Sequence, residues 1–158
     1  MKYEAVDSIK NGKYEAFYPN DKIKLKTTFK NDSLNGLYTQ YYITGQIKET
    51  AYFINGKIEG YFCRFDSLNN LIIKEHFNFG KHNGEALIFY SNNNIKQKIN
   101  YKNNLFDGNY TTYNENGTLS QKGNYVNNSI VGIIYLYDRV GKEKAKGTLQ
   151  ELEQRGEL

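Results

Sequence analysis

Aromatic, aliphatic and polar residues alternate along the chain in short runs that small clusters of Gly, Asn and Asp interrupt. Between Tyr38 and Phe53, for example, "YTQYY" and "IKETAYF" flank "ITGQ". Runs rich in aromatic and β-branched residues are typical of β-strands. Gly, Asn and Asp accept the positive φ angles that tight turns between paired strands require. The pattern therefore predicts a series of β-hairpins.

The hairpin pattern repeats with a fixed period. Seven glycines recur every 24 residues without an insertion: Gly12, Gly36, Gly60, Gly84, Gly108, Gly132 and Gly156. A period of this size is the signature of a solenoid or repeat array. We number the positions of each unit from its glycine, which is position 1.

Other positions of the unit also keep one kind of residue. Position 6 is always aromatic: Phe17, Tyr41, Phe65, Phe89, Tyr113 and Tyr137. Position 10 holds Asp21, Gly45, Asn69, Asn93, Gly117 and Gly141, and position 21 holds Asp32, Gly56, Gly80, Asn104, Asn128 and then Leu152. Positions 3, 12 and 18 are mostly large and apolar. Each unit therefore predicts a strand over positions 2–7, a turn near 8–10, a strand over 11–18 and a second turn near 19–24.

The predicted fold is all-β: an elongated single-domain solenoid of six 24-residue hairpins. The units are 12–35, 36–59, 60–83, 84–107, 108–131 and 132–155, with a tail at 156–158. Residues 1–11 are a capping strand or a tail, in which "KYEAV" would cover the first hairpin. Near the other end, Thr148 and Glu151 fit a helix capping box, with Leu149 and Leu152 on one side of a short cap.

The columns resemble the MORN repeat: a Gly, an aromatic residue two positions on, further aromatics, "xNG", a strand with Lys and Ile, and another "xNG". The 24-residue spacing is similar to the bacterial MORN variant, whose members are often labelled antitoxin-like. Such a resemblance implies a binding scaffold, a membrane-proximal module or an appendage to an enzyme. The third and sixth units depart from the pattern at Asp66, Leu68, Phe79, His82, Asp138, Glu143 and Leu152, which predicts irregular third and last hairpins.

The residues suggest no reaction chemistry. The single cysteine, Cys63, excludes an internal disulfide, and His76 and His82 with Glu75 are too few for a metal site. Neither a phosphate loop nor a dinucleotide fingerprint occurs. We therefore predict a non-enzymatic protein that uses no cofactor and no metal.

The compartment stays open on the sequence. The chain has no run of about 18 apolar residues, and its start lacks the apolar core of a signal peptide. A cytoplasmic protein and an exported protein with its leader removed would both look like this.

Tyrosines form one candidate partner surface. The 158 residues include 15 Tyr and 9 Phe, and both faces of the first strand carry rings that one hairpin layer can hardly bury. The alternatives are rings that only pack across strands and a tyrosine-rich groove for a partner. The candidate partner-binding residues are Tyr14, Tyr18, Tyr38, Tyr42 and Tyr90.

Lysines form a second candidate surface. Position 13 holds Lys24, Lys48, Lys96 and Lys144, and position 15 holds Lys26, Lys74, Lys98, Lys122 and Lys146. Alternation along a strand predicts that both positions face the same side, as one basic stripe. The stripe is either an ordinary solvent-facing surface or a site for an acidic protein or anionic lipid.

Two functions follow from these surfaces. The first is a protein–protein interaction scaffold, antitoxin-like by resemblance, whose partner would be encoded nearby. The alternative is a peripheral module that binds anionic membrane lipid through the lysine stripe. Nucleic acid is a poor candidate partner, because the chain has only three arginines (Arg64, Arg139 and Arg155) and a net charge of +4.

Overall fold

The computed structural model describes residues 9–158. The predicted covering strand "KYEAV" lies outside the described residues. Within residues 9–158 the chain forms fifteen strands and one short helix, and the strands belong to a single antiparallel sheet. The predicted all-β array of hairpins is confirmed.

Each of the first four hairpins pairs a six-residue strand with an eight-residue strand. In the first four hairpins, the first strand is β1 (Gly12–Phe17), β4 (Gly36–Tyr41), β7 (Gly60–Phe65) and β10 (Gly84–Phe89), respectively. The second strands are β2 (Ile23–Lys30), β5 (Ile47–Ile54), β8 (Leu71–Asn78), β11 (Ile95–Lys102) and β13 (Leu119–Val126). The third hairpin is as regular as its neighbours, so the predicted irregularity there is wrong.

A short segment after each second strand links one hairpin to the next. In the first three units it forms the two-residue strands β3 (Ser33–Leu34), β6 (Lys57–Ile58) and β9 (Lys81–His82). In the later units it merges with the following first strand, giving β12 (Leu105–Tyr113) and β14 (Ser129–Tyr137), and β15 (Glu143–Gly147) ends the sheet. Along the sheet the order is β1-β2-β4-β5-β7-β8-β10-β11-β12-β13-β14-β15.

The turns explain the columns of Gly, Asn and Asp. Every position-10 residue has a positive φ, as Asp21 (61°) and Gly45 (102°) illustrate. Position 21 is also left-handed, as predicted, in every unit that has a second turn of this kind. The structure adds that position 20 is left-handed too, as in Asn103 (51°) followed by Asn104 (71°). Two successive positive φ angles form the two-residue turn that suits the strand twist.

The glycine at position 1 meets two requirements. Gly108 has a φ of 108°, and an added Cβ would lie 3.2 Å from the Cβ of Asn100 at position 17 of the preceding unit. The same approach occurs between Gly36 and Thr28, where the separation would be 3.5 Å. Gly36 and Gly108 therefore combine a positive φ with room for the position-17 side chain of the preceding unit.

One face of the sheet, which we call the inner face, carries the buried side chains. It consists of positions 3, 5, 14, 16, 18 and 23 of the units. Ala86, Ile99 and Tyr110 form one buried cluster there, and Ile134, Leu136 and Leu152 form a second. Large and small residues complement each other across the strands: Tyr110 pairs with Gly123, where an added Cβ would lie 2.7 Å from the ring.

A short helix, α1 (Leu149–Gln154), closes the last hairpin. The predicted capping box is confirmed, because Thr148 accepts a hydrogen bond from the Glu151 amide while the Glu151 carboxylate accepts one from the Thr148 amide. Leu152 is fully buried against the sheet, whereas Leu149, three residues earlier, is 37% exposed. Arg155 donates to the main-chain carbonyl of Lys146 (2.9 Å) on β15.

Candidate functional site

Two of the candidate tyrosines belong to the packing of the inner face. Tyr14 meets the edge of Phe29 with ring centroids 5.6 Å apart, and Tyr38 meets Phe53 in the same way at 5.7 Å. Burial, helped by the charge of Glu49, raises the pKa of Tyr38. Both rings are half-buried, and their partners are other hairpin residues.

The other three candidate tyrosines join neighbouring hairpins at the first turn. We call Tyr18, Tyr42 and Tyr90 the turn tyrosines. Each hydroxyl donates a hydrogen bond to the main-chain carbonyl of position 6 in the next unit. The distances are 2.7 Å to Tyr41, 2.8 Å to Phe65 and 2.8 Å to Tyr113. These polar ends are therefore already used within the sheet.

The same column performs a different task where it is not tyrosine. Asp66 accepts hydrogen bonds from the amides of Leu68 and Asn70 within its own turn, and these bonds, with that from the Asn70 side chain, lower the pKa of its carboxyl group. Asp138 accepts from the amides of Val140 and Lys142 in the corresponding turn. Aspartate thus closes its own turn, whereas tyrosine joins its turn to the next hairpin.

The nine candidate lysines lie in two rows because the hairpins contain a β-bulge. In the first hairpin Ala16 pairs with Leu25 and Phe17 pairs with Ile23, so Lys24 at position 13 is the extra residue of the bulge. The bulge turns position 13 toward the turn tyrosines. The ammonium groups of Lys24, Lys48 and Lys96 lie 5.6 to 5.9 Å from the ring centroids of Tyr18, Tyr42 and Tyr90, while Lys144 pairs with Glu157 at 3.0 Å.

Position 15 forms the second row, on the face opposite the buried clusters. We call this the outer face; it consists of positions 2, 4, 15 and 17. Lys26 pairs with Glu15 (3.4 Å) and Lys146 with Glu143 (3.8 Å). Lys74 lies 4.3 Å from the ring centroid of Tyr61. The remaining members of the row are Lys98 and Lys122.

An exposed apolar patch lies on the outer face beside that row. Leu37 is 60% exposed, Tyr52 49% and Tyr61 56%, and we call these three residues the outer patch. Leu37 and Tyr52 are directly opposite each other on β4 and β5, and Tyr61 follows on the neighbouring strand β7. The hydroxyls of Tyr52 and Tyr61 make no hydrogen bond to any of residues 9–158.

The outer patch was not among the residues predicted from the sequence. Its members occupy positions 2 and 17, which do not keep one residue type, so the repeat pattern did not predict a surface there. A signal was nevertheless present, because four of the five position-17 residues on second strands are Thr28, His76, Asn100 and Asn124, and only Tyr52 is large and apolar in character. Exposed aromatic residues at otherwise polar positions of a repeat therefore indicate a binding surface.

A shallow cavity continues the outer patch toward the middle of the sheet. Its volume is about 230 Å³, and its lining residues are Tyr61, Lys74, His76, Gly84, Glu85 and Leu87. His76 meets Tyr61 edge-on at 5.1 Å, and its Nδ1 is 2.8 Å from the carbonyl oxygen of Asn83. Gly84 lacks a side chain at the floor, where an added Cβ would touch His76 at 3.7 Å.

The histidine, carboxylate and cysteine side chains considered for reaction chemistry all lie in the third unit. His82 Nδ1 lies 4.0 Å from the Glu75 carboxylate, between the rings of Phe77 and Tyr101. Residues 9–158 contain no group of three His, Cys, Asp or Glu side chains close enough to hold a metal ion. Burial raises the pKa of the Cys63 thiol, an effect that Lys74 and a hydrogen bond with Thr50 partly oppose. A raised pKa keeps a thiol protonated and a poor nucleophile.

In the part of the chain that the structure describes, no helix has the length and apolar character needed to cross a membrane.

Comparison with known proteins gives a family. No curated protein matches the chain. Among solved structures, the crystal structure of a GtfA/B complex bound to UDP and GlcNAc matches with a TM-score of 0.32 and 13% identity over 99% of this chain. This chain spans 31% of that one, and at this TM-score the likeness carries no argument about fold or function.

The family follows from the repeats themselves. The model of the MORN repeat variant matches residues 10–31, 34–55, 83–103 and 106–127, which is more than half of the chain. The matched segments include second strands and turns of the first, second, fourth and fifth units, whose columns the structure explains. MORN repeats are generally associated with binding to proteins or membranes. The chain belongs to the MORN repeat variant family.

Proposed function

We propose that this chain is a non-enzymatic scaffold that binds another protein through its outer face. The observation that carries the proposal is the outer patch of Leu37, Tyr52 and Tyr61, large side chains on three neighbouring strands that the sheet leaves about half exposed. Tyrosine is enriched in protein interfaces because its rigid ring combines apolar area with a polar end. A contiguous patch of this kind is typical of an interaction site, whereas single exposed apolar residues are not.

The candidate tyrosines predicted from the sequence support this function less directly. Tyr14 and Tyr38 pack on the inner face, and the turn tyrosines donate their hydroxyls to the next hairpin. They remain candidates for contact through their exposed ring edges. Replacing them would also disturb the sheet, so the outer patch gives the cleaner experimental test.

The finer identity of the partner rests on family resemblance. The repeats resemble the bacterial MORN variant whose members are labelled antitoxin-like, and on that ground we propose a partner encoded nearby, such as a toxin that this chain neutralises. An antitoxin of this type would act by covering a surface of the toxin, which requires binding and no turnover of substrate.

A second candidate function is binding to anionic membranes through the position-15 lysines. Lys98 and Lys122 lie two strands apart, or ~10 Å, on a sheet face that could lie against a lipid surface. Each lysine near such a surface contributes about 1 kcal/mol. Membrane binding of this kind weakens strongly with salt, because it depends on screened charges.

The test uses the purified protein in two parallel assays. In the first, it captures proteins from lysate of its own source, with a low-salt and then a high-salt wash; in the second, it sediments with phosphatidylserine-containing vesicles. We expect one protein to remain bound at high salt and to be lost with Tyr52→Ser plus Tyr61→Ser. The matched control is Phe79→Ser, an exposed aromatic (73%) in the second turn of the third unit, which should retain the partner.

The two functions give different results in these assays. Salt-sensitive vesicle binding that is lost with Lys98→Glu plus Lys122→Glu, together with no retained protein, would replace the scaffold by the membrane module. A retained protein that the Tyr52 and Tyr61 substitutions leave bound would contradict the outer patch as the binding site.

A further inference from the structure

We infer that the outer face binds an acidic segment of a partner protein, with one apolar side chain of that segment in the cavity beside Tyr61 and carboxylates against Lys98 and Lys122. This inference rests on the proposed scaffold function and adds the chemistry of the partner to it.

The outer face presents two neighbouring rows of side chains that cross the strands. Positions 2 and 17 form the patch row, in which Leu37 lies opposite Tyr52. Positions 4 and 15 form the lysine row, in which Lys74 lies opposite Leu87. Side chains two residues apart along a strand are separated by about 6.6 Å. One partner segment that crosses the strands therefore contacts both rows.

The character of these rows changes from apolar to basic along the sheet. Over β4 to β8 the patch row is apolar or aromatic, and beyond Glu85 it becomes Asn100, Asn109 and Asn124. Over β11 to β13 the lysine row carries Lys98 and Lys122. From β11 to the end of β14, neither row contains a carboxylate. The rows of this stretch thus supply no carboxylate to Lys98 and Lys122, although the rings of Tyr137 and Tyr135 and the charge of Glu143 on β15 act on Lys122. The excess of positive charge favours an acidic partner.

The cavity lies at the boundary between the apolar and the basic stretch. Its walls combine the Tyr61 ring with Leu87, and the Lys74 ammonium stands over Tyr61. At about 230 Å³ it is smaller than the clefts that hold drug-sized ligands, which begin at roughly 300 Å³. A site of this size and lining suits one aliphatic or aromatic anchor side chain, the type of contact that dominates protein interfaces.

The spacing of the lysines sets the spacing of the partner's carboxylates. Lys98 on β11 and Lys122 on β13 are separated by two strands, or ~10 Å. In an extended partner segment that distance corresponds to about three residues, because each contributes ~3.3 Å. In a helical segment it corresponds to about seven residues, because each contributes 1.5 Å. In the partner's sequence, the apolar anchor residue therefore lies either before both carboxylates or after both of them.

The experiment selects peptides from a random-peptide phage library on the immobilised full chain. We expect the enriched peptides to share an aromatic or aliphatic residue with Asp or Glu on one side of it, at one of the two spacings above. Synthetic copies should lose at least about tenfold in affinity for Lys98→Glu plus Lys122→Glu, and a similar factor for Tyr61→Ser plus Leu87→Ser. Affinity is measured by fluorescence anisotropy, and folding of each variant by circular dichroism.

A matched control separates local contact from overall charge. Lys24→Glu plus Lys48→Glu makes the same change in net charge on the row beside the turn tyrosines. We expect less than about a twofold loss for this variant, since those lysines lie away from the proposed segment. An equal loss in the control would overturn the assignment to Lys98 and Lys122. If a charge-reversed variant fails to fold, Lys98→Gln plus Lys122→Gln replaces it.

The peptide result can be separated from the scaffold function. Enrichment of basic or uncharged peptides, or of none, would overturn this inference. The scaffold function would survive that result if the captured partner is still lost with Tyr52→Ser plus Tyr61→Ser. Peptides that bind with unchanged affinity to both the lysine and the cavity variants would place the acidic segment elsewhere and overturn the inference as well.

Discussion

Two groups of tyrosines on the same sheet differ in what they contact. The turn tyrosines lie at position 7, which is tyrosine in three of the six units, and donate their hydroxyls to the next hairpin. Tyr52 at position 17 and Tyr61 at position 2 are 49% and 56% exposed, and their hydroxyls bind none of residues 9–158. Tyrosines whose hydroxyls bind the next hairpin therefore hold the hairpins together, whereas Tyr52 and Tyr61 leave much of their rings exposed on the outer face.

The largest effect on stability is expected for the most buried ring. Tyr110 is 4% exposed, packs against Tyr125 and accepts a hydrogen bond from Gln121. Tyr110→Ala would leave a cavity, because the residue opposite is Gly123, which has no side chain to fill it. The substitution should lower the free energy of unfolding by about 3–5 kcal/mol. Urea denaturation followed by circular dichroism measures this change.

Tyr61→Ala is the matched comparison, since it removes the same side chain from the outer patch. It should cost less, about 1 kcal/mol, because Tyr61 is 56% exposed and its remaining surface contacts His76 and Lys74 at the edge of an open cavity. Equal destabilisation by the two substitutions would mean that Tyr61 is a structural residue, as Tyr110 is.

A smaller effect is expected when only a hydroxyl is removed. Tyr42→Phe deletes the hydrogen bond to the Phe65 carbonyl (2.8 Å) and should cost about 1 kcal/mol. Tyr61→Phe removes a hydroxyl that faces solvent and should change stability by less than about 0.5 kcal/mol. The same urea titration resolves both. A neutral Tyr42→Phe would show that the turn tyrosines do not stabilise the junction between hairpins.

The smallest effect is a pH dependence of stability in the alkaline range. Burial raises the pKa of Tyr110, with a further rise from Tyr125 and an opposing effect from the Gln121 hydrogen bond. The unfolded chain ionises this phenol near its ordinary pKa of about 10, while the folded chain retains the proton. The resulting stability is therefore complete below about pH 10 and decreases as the pH rises through the folded-state pKa. Urea midpoints from about pH 9 to 11 should fall more in the wild type than in Tyr110→Phe, and parallel declines would contradict this assignment.

Much of the fold could be predicted because every unit repeats the same constraint. The left-handed residues at positions 10 and 21 need Gly, Asn or Asp, so the turns are visible in the sequence. The left-handed conformation of position 20 was not predicted, in part because Phe79 occupies this position in the third unit. Its φ of 49° is a conformation that aromatic residues rarely adopt. The third hairpin stays regular because Asp66 and Asn70 supply the hydrogen bonds of its first turn.

The candidate site was less predictable because it depends on details that alternation alone does not contain. The β-bulge beside Ile23 separates Lys24 from Lys26, so one predicted stripe became two rows. The exposure of Tyr52 and Tyr61 depends on which face the buried clusters occupy. Both tyrosines lie at positions that do not keep one residue type, so the repeat pattern gave no reason to select them.

The most direct measurement is the affinity of the captured partner for two double variants, by isothermal titration calorimetry. Tyr52→Ser plus Tyr61→Ser should weaken binding by at least about tenfold while stability stays close to that of the wild type. Tyr18→Phe plus Tyr42→Phe should lower stability and change affinity by less than about twofold. The reverse result, with affinity lost through the turn tyrosines and kept without the outer patch, would contradict the assignment of binding to the outer face.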